Sequence, residues 1–188
     1  CSLFCAKLID KLRENLFVNV DVVGGGIFGV TCAWMLSKNG YFVNLYEKNT
    51  DILSSASGIN QYRLHRGYHY PRSDEPAISS KKGEESFLKY YGDSVVKDVE
   101  NYYCIAKEDS KVSKDNFKKF MDRINLKYEE VTSDLVDDDS VDLCVKVDEF
   151  IFDPNKLKEI CKNLLGKYCI KLHTNKNFTK KEKNLLVN

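Results

Sequence analysis

Three glycines near the amino terminus have the spacing of a phosphate-binding turn. The pattern G-x-G-x-x-G falls on a segment made of Gly24, Gly25, Gly26, Ile27, Phe28 and Gly29. In such a turn the first glycine makes the tight exit from a strand, and the second lets the backbone approach a pyrophosphate. The third lets the following helix pack close to the strand. Phosphate oxygens can then accept hydrogen bonds from backbone N–H groups at the positive end of that helix.

The elements around the glycines are those that a dinucleotide site needs. A β-rich run from Phe17 to Val23 precedes them, a helical pattern from Ile27 to Asn39 follows, and Tyr41 to Glu47 alternates as a second strand. Glu47 lies 18 residues beyond Gly29 (47 − 29), near the spacing of ~20 expected of a ribose-binding carboxylate. Such a carboxylate would repel a 2′-phosphate, which disfavours NADP. The βαβ unit therefore predicts a site for the ADP half of a dinucleotide, most simply FAD. The alternative is a glycine-rich turn in an unrelated α/β protein.

The rest of the chain alternates between helical and strand patterns. Residues 1–16 form an amphipathic helix or tail, and residues 49–73 form a long polar loop. Helices are predicted at 76–91, 114–124 and 154–165, the last with Asp153 as its cap and Pro154 in its first turn. Strands are predicted at 102–106, 141–152 (one or two), 168–173 and 185–188.

Composition excludes several classes of function. The chain has 188 residues, 29 basic and 28 acidic, with a net charge of +1, so no overall field attracts nucleic acid. No apolar run reaches the ~20 residues of a membrane span. Seven scattered cysteines without a Cys-x-x-Cys pair are typical of reduced thiols in a cytoplasmic protein, and Cys104 is predicted to be a buried thiol. The chain starts with Cys1 and ends on an apolar strand, so we expect it to be part of a longer protein.

The polar loop carries histidines and arginines. His65 and His69 are four residues apart, but Gly67 and Pro71 interrupt a helix there and no carboxylate is in register, so no metal site is predicted. The arginines of this loop suit phosphate or carboxylate recognition. Contact with the FAD phosphates and contact with solvent stay equally open for them.

Residues 22–73 resemble the FAD-dependent oxidoreductases of the D-amino-acid-oxidase-like (DAO) family. The family includes glycine and sarcosine oxidases, glycerol-3-phosphate dehydrogenases and 2-hydroxyglutarate dehydrogenases. The resemblance is carried by residues 22–29, Ala33, Leu36, Gly40, Val43, Glu47, Lys48, residues 56–61, residues 63–73 and, further on, Phe152, Asp153 and Pro154.

The resemblance implies roles for particular residues. The segment Gly24 to Gly29 would hold the FAD pyrophosphate, and Glu47, with Lys48 beside it, the adenosine ribose. A polar stretch would run along the pyrophosphate and the ribityl chain: Ser55, Ser57, Asn60 and Gln61. The residues expected near the flavin ring are His65, Tyr68 and His69.

The resemblance also implies a domain organisation. We expect a Rossmann-like FAD-binding domain at 17–91 and 151–188, with an inserted mixed or antiparallel substrate domain at 92–150 that is incomplete because family members are about twice this long. Residues 1–16 would be an extension.

The implied activity is oxidation of an amine or hydroxyl carbon in a small amino or hydroxy acid, by hydride transfer to FAD. The resemblance does not assign catalytic residues. Two alternatives stay open: an NAD-binding protein of another Rossmann family, and a truncated protein that binds a dinucleotide without catalysis.

Overall fold

The computed structural model describes residues 18–132, 134, 136, 139–178 and 185–187. The strands are β1 (Asn19–Val23), β2 (Phe42–Tyr46), β3 (Arg63–Leu64), β4 (Val95–Val96), β5 (Asn101–Ala106), β6 (Tyr128–Glu130), β7 (Val141–Val147), β8 (Phe150–Phe152), β9 (Lys171–His173) and β10 (Leu185–Val187). The helices are α1 (Ile27–Lys38), α2 (Asp74–Tyr91), α3 (Lys114–Arg123) and α4 (Pro154–Lys167), with a short 3-10 turn at Gly92–Ser94. Within these ranges no helix is both long enough and apolar enough to cross a membrane.

The first compact unit contains the described residues up to Tyr62 and those from Asp153 onward. Its sheet has the order β10-β1-β2-β9, and all of its strand pairs are parallel. Strands of a parallel sheet are apolar because both faces are covered, and Val20, Val22 and Leu45 are accordingly almost fully buried. Helix α1 places Val30 and Ala33 in the same core. This is the predicted Rossmann-like βαβ unit.

The second unit runs from Arg63 to Phe152 and is built on antiparallel pairing. One sheet has the order β3-β8-β4 and the other the order β5-β7-β6. Its apolar core includes Phe117, Phe120 and Met121 from α3, packed with Val145 from β7. The mixed α/β fold class, with an inserted antiparallel part, is confirmed.

The division between the units differs from the predicted domain bounds. Residues 63–91 were assigned to the FAD-binding domain, but they lie in the second unit. The reason is that β3 pairs with β8 and that Arg66 pairs with Asp148, which joins this stretch to later parts of the second unit. The FAD-binding domain was predicted to resume at residue 151, and the first unit resumes two residues later, at Asp153. The predicted extension at 1–16 lies outside the described residues.

The predicted helices are observed, with ends that differ by a few residues. Helix α2 begins two residues before Pro76, and α4 runs two residues beyond Leu165. Asp153 caps α4 as predicted, because its Oδ1 accepts hydrogen bonds from the N–H groups of Asn155 and Lys156. The predicted strand at 168–173 is shorter, since Tyr168 is the helix cap and only Lys171–His173 pairs with β2. Strands β3, β4 and β6 were not predicted, because each has three residues or fewer and shows no period.

Candidate cofactor site

The turn between β1 and α1 has the conformation that its first glycine permits. Gly24 has φ +101°, a left-handed conformation in which an L side chain is strained. Its N–H donates to the carbonyl of Tyr46 at 2.8 Å, which ties the end of β1 to the end of β2. The turn therefore opens at the carboxyl edge of the parallel sheet, where ligands of open α/β folds bind.

Gly29 explains why the third position of the motif must lack a side chain. A Cβ atom placed on Gly29 would lie 1.8 Å from the carbonyl oxygen of Gly24. That distance is far shorter than van der Waals contact, and the atom that the Cβ would meet belongs to the backbone, which cannot rotate away as a side chain can. The close approach of α1 to the turn therefore depends on this glycine, which is the role that the motif predicts.

Gly26 is the residue that precedes helix α1, and it leaves the helix end open. It has no side chain with which to cap the helix, and the first turn of α1 contains no acidic residue. A Cβ on Gly26 would meet only the hydroxyl of Ser57, at 3.2 Å. The positive end of the helix is thus kept free of negative side chains of its own, as a phosphate-binding helix requires. The neighbouring Phe28 is 69% exposed.

Glu47 follows β2 directly and is held against the turn by its carboxylate. The side chain is 7% exposed, and its two oxygens accept hydrogen bonds from the N–H of Gly25 at 2.6 Å and of Asn49 at 2.8 Å. A Cβ on Gly25 would lie 2.9 Å from this carboxylate, so the second residue of the turn must also be small. A carboxylate has about four acceptor positions, which leaves Glu47 able to accept hydroxyl protons as well.

Ser57 places a hydroxyl at the amino end of α1. Its Oγ accepts a hydrogen bond from the N–H of Ile27 at 3.1 Å, thirty residues earlier in the chain. A serine hydroxyl carries one proton beside its acceptor positions, so this group can still donate to an anion at the helix end. The glycine turn from Gly24 to Gly26, the amino end of α1, the Glu47 carboxylate and the Ser57 hydroxyl therefore lie together in the first unit, and we call this group the cradle.

Comparisons with known proteins agree with this geometry. The model of the FAD dependent oxidoreductase (DAO) family matches residues 19–136, which is more than half of the chain. The chain belongs to this FAD-dependent family. FAD is the cofactor of this family, and the residues present fit it, because the glycine turn lies at a helix end whose cap residue has no side chain and whose first turn has no acidic residue.

Individual relatives extend the comparison. The chain is 31% identical over 140 residues to the FAD-dependent monooxygenase FPY4 of Fusarium mangiferae, covering 72% of this chain and 38% of that protein. It is 35% identical over 112 residues to the FAD-dependent monooxygenase kojA of Aspergillus flavus, covering 57% of this chain and 26% of that protein. The chain thus spans well under half of these curated relatives.

Solved structures show the same fold at low identity. L-alpha-glycerophosphate oxidase from Mycoplasma pneumoniae, solved with FAD bound, superposes with a TM-score of 0.69 at 17% identity, covering 87% of this chain and 46% of that one. Glycine oxidase from Geobacillus kaustophilus superposes with a TM-score of 0.67 at 15% identity, covering 86% and 47%. At this identity the likeness establishes the fold alone.

The other residues predicted to bind FAD lie near the cradle in sequence but make local contacts. Lys48 and Gln61 are exposed. Ser55 accepts a hydrogen bond from the Asn49 side chain at 3.1 Å, and the Asn60 side chain accepts one from the N–H of Tyr62 at 2.7 Å. The structure thus brings Ser57 to the helix end but not these four, whose roles along the cofactor stay predictions.

Two residues of the cradle were missed by sequence reasoning as site residues. Gly58 is as tightly packed as Gly29, since a Cβ there would lie 1.8 Å from the carbonyl oxygen of Leu53. Leu53 in turn donates its N–H to the carbonyl of Gly25 at 2.9 Å, with φ +53°. The segment after Glu47 therefore folds back on the turn. In the sequence, Gly58 was a visible signal of such a close approach, whereas no residue pattern indicated the contact of Leu53.

Tyr68, predicted to lie near the flavin, is a core residue. It is fully buried in the second unit, in the cluster formed by Phe117, Phe120 and their neighbours, and its hydroxyl donates to the carbonyl of Lys127. Burial raises its pKa to about 12. With no face open to solvent, this side chain supports packing, and the prediction of a flavin contact is replaced by a structural role.

His65 and His69 lie together in the second unit, with ring centroids 4.0 Å apart. Their Nδ1 atoms are buried and have no hydrogen-bond partner within the described part of the chain. Burial, together with His65, lowers the pKa of His69. That these two histidines lie near the flavin stays a prediction.

Glu149 is the centre of a buried charge network that the sequence did not indicate. It is 2% exposed and accepts hydrogen bonds from the guanidinium of Arg63 at 2.6 Å, the N–H of Arg66 at 2.8 Å and the hydroxyl of Tyr103 at 3.2 Å. Burial alone would raise the pKa of Glu149, but His65, the Arg66 N–H and the charge of Arg63 outweigh it and hold that pKa below its ordinary value.

This network corrects the interpretation of the loop arginines. They were expected to contact either FAD phosphates or solvent, yet Arg63 pairs with Glu149, and Arg66 pairs with Glu84 and Asp148. One ligand atom each of Glu149, His65 and His69 lies within 4.8 Å of the others, an arrangement that could hold a cation. The Arg63 guanidinium already neutralises the carboxylate and would repel that cation. The absence of a metal site stays a prediction.

Proposed function

We propose that the whole protein is an FAD-dependent oxidoreductase that oxidises an amine or hydroxyl carbon of a small, carboxylate-bearing molecule. The observation that carries this proposal is the cradle itself. A helix end without acidic residues in its first turn, a turn in which a Cβ on Gly25 or Gly29 would clash, and a buried carboxylate are gathered at the carboxyl edge of a parallel sheet.

Each part of the cradle has a proposed role. The N–H groups at the start of α1 and the Ser57 hydroxyl would hold the pyrophosphate, with Gly26 giving it room. Glu47 would accept the protons of the ribose hydroxyls while its existing bond to Gly25 keeps it in place. Bound FAD would supply the hydride acceptor for the reaction.

The substrate class rests on the structural relatives. Solved structures of the same fold include the glycine oxidase and the glycerophosphate oxidase, and also an L-amino acid deaminase from Proteus vulgaris with a TM-score of 0.65 at 17% identity. Amino and hydroxy acids share a C–H bond beside nitrogen or oxygen, which is the bond such chemistry breaks. We propose that the partner is such a small molecule rather than nucleic acid, and that the protein works in the cytoplasm.

A second candidate, monooxygenation, is favoured by one specific observation. The curated relatives at 31% and 35% identity are FAD-dependent monooxygenases, whereas the oxidases of the same fold are below 20% identical. A monooxygenase inserts one oxygen atom of O₂ into its substrate and needs two electrons from a separate reductant. An oxidase takes both electrons from the substrate itself.

Anaerobic reduction of the flavin separates the two candidates. The protein loaded with FAD is mixed without oxygen with a panel of amino and hydroxy acids, and the flavin absorbance is followed. Bleaching by one of these acids alone supports the oxidation proposed here. Bleaching only by NADH or NADPH, with product that gains oxygen on readmission of O₂, supports monooxygenation. If neither these acids nor NADH or NADPH reduce the flavin, the protein binds a dinucleotide without catalysis.

A further inference from the structure

Two cysteines face each other across neighbouring strands of the second unit. Strands β5 and β7 are antiparallel, and Cys104 of β5 lies directly opposite Cys144 of β7. Their sulfur atoms are 3.2 Å apart, and both thiols are free. Directly opposite residues in an antiparallel pair have Cα atoms about 4.5 or 5.5 Å apart, and both distances lie within the range that a disulfide spans.

The pair lies on the face of the sheet that is turned away from the core. Successive side chains of a strand point to opposite faces, and the neighbours Tyr103, Leu143 and Val145 belong to the apolar core of this unit. Cys104 is exposed, which corrects the prediction of a buried thiol, while Cys144 beside it is buried. A small reagent can therefore reach one sulfur, and the second is already in contact with the first.

We propose that Cys104 and Cys144 form a reversible intramolecular disulfide when the protein meets hydrogen peroxide. The thiolate of Cys104 would attack one peroxide oxygen, the O–O bond would break, and a sulfenic acid and water would result. The thiol of Cys144 would then displace the sulfenic oxygen as a second water, forming the S–S bond. Two thiols are oxidised by two electrons and one peroxide is reduced to two waters. A dithiol reductant reverses the change.

The bond would constrain a large part of the second unit. It would close a loop between positions 40 residues apart in sequence, which contains α3 and β6. Because a cross-link lowers the entropy of the unfolded chain, the oxidised protein should be more stable than the reduced one. Partial burial of the sulfur and the neighbouring Cys144 raise the pKa of the Cys104 thiol to about 11, so the reactive thiolate is scarce at neutral pH and oxidation should need sustained exposure to peroxide.

Peptide mass spectrometry of the native protein tests the proposal. Protein treated with hydrogen peroxide is alkylated under denaturing conditions, digested and analysed without reduction. The expected product is one peptide pair joined through Cys104 and Cys144, two hydrogen atoms lighter than the separate peptides. It should disappear on treatment with dithiothreitol. The midpoint of thermal unfolding should rise by roughly 5–15 °C in the cross-linked protein.

Variants separate this bond from general thiol oxidation. Cys169 is also exposed, and Cys169→Ser should leave the cross-linked peptide unchanged. Cys144→Ser should abolish it and leave Cys104 as a sulfenic acid that dimedone labels. Alkylation of both cysteines after peroxide treatment would overturn the proposal, and so would a cross-link from Cys104 to any other cysteine of the same or another molecule. The proposal rests on the second unit alone and is independent of the cofactor.

Discussion

The two units each bury a carboxylate, and they hold it in opposite ways. Glu47 of the first unit accepts hydrogen bonds from two backbone N–H groups, those of Gly25 and Asn49, which are twenty-two and two positions away respectively. Glu149 of the second unit also accepts one backbone N–H, that of Arg66, but its other donors are the charged side chain of Arg63, 86 positions earlier, and the hydroxyl of Tyr103. The first arrangement leaves a carboxylate at the edge of a turn with acceptor capacity to spare. The second neutralises a charge inside a fold.

This difference separates a site from a structural network. Backbone donors and glycines fix positions without filling space, so the first unit can present a cradle to a ligand. Paired side chains fill the space around Glu149 and neutralise its charge. Substitutions in the two units should therefore fail in different ways.

The largest effect is expected at Gly29. Its Cβ would lie 1.8 Å from the carbonyl oxygen of Gly24, and neither backbone segment can move without separating α1 from β1. Gly29→Val should lower the free energy of unfolding of the first unit by at least about 3 kcal/mol. Denaturant titration followed by Trp34 fluorescence measures this, since Trp34 is a buried residue of α1.

Gly166 of α4 provides the matched control. It lies in the same unit and also in a helix, but a Cβ there would meet nothing within 4 Å. Gly166→Ala should stabilise the protein slightly, by up to about 1 kcal/mol, because alanine is the better helix former. Equal losses in Gly29→Val and Gly166→Ala would refute the close approach at the third motif glycine.

Glu149→Gln should lower the free energy of unfolding nearly as much as Gly29→Val does. It would remove the charge that pairs with Arg63 and leave a guanidinium without its partner in a largely buried place. Breaking a buried pair in this way costs about 3–5 kcal/mol of stability. The neighbouring Asp148 is half-exposed and pairs with Arg66, so Asp148→Asn should cost under about 1 kcal/mol. Urea unfolding of both variants, run in parallel, decides whether position 149 is special.

The charge of Glu149 should also set an acid limit on stability. Its pKa in the folded protein lies below the ordinary value of 4.5, so its contribution to stability is complete above pH 4.5 and is lost as the pH falls through the folded pKa. The difference in unfolding free energy between the wild type and Glu149→Gln should therefore shrink as the pH falls below about 5. A difference that grows as the pH falls from 5 to 3 would reverse the sign that the network requires.

Part of this fold and site could be predicted from the sequence. The glycines from Gly24 to Gly29 and the alternating strands on either side are local patterns, and each states a backbone requirement that neighbouring residues can reveal. The family resemblance then supplied Ser57. The Glu149 network and the facing pair of Cys104 and Cys144 depend on strand register across long intervals, which no local pattern encodes. Tyr68 was misplaced for the same reason, since its burial comes from α3.

Glu47→Gln should have a moderate effect that appears mainly in cofactor binding. The carboxylate accepts a 2.6 Å hydrogen bond from Gly25, and a glutamine would bring an N–H₂ group toward one of the two backbone donors. Losing a charged hydrogen bond should weaken FAD affinity by about 1.5–3 kcal/mol, or roughly 10- to 150-fold. Fluorescence titration of apoprotein with FAD gives this value, and affinity equal to that of the wild type would exclude Glu47 from the ribose site.

The smallest effect is expected at Ser57. Ser57→Ala removes one neutral hydrogen bond to the N–H of Ile27 and should cost about 1 kcal/mol of stability. Ser54 is the control, since its hydroxyl is exposed and donates only to the nearby carbonyls of Asp51 and Ile52. In thermal unfolding, the midpoint temperature of Ser57→Ala should be lower than that of Ser54→Ala. The reverse order would contradict the role of Ser57 at the helix end.

The most direct test of the cradle is FAD binding in Gly26→Val beside the wild type. A Cβ at Gly26 would meet only the hydroxyl of Ser57 in the protein itself, at 3.2 Å, yet the valine side chain would occupy space in front of the helix end. We expect the wild type to bind FAD. We expect the variant to keep its circular dichroism spectrum, and its unfolding midpoint within a few degrees, but to lose flavin on gel filtration. A folded Gly26→Val protein that binds FAD as tightly as the wild type would contradict it.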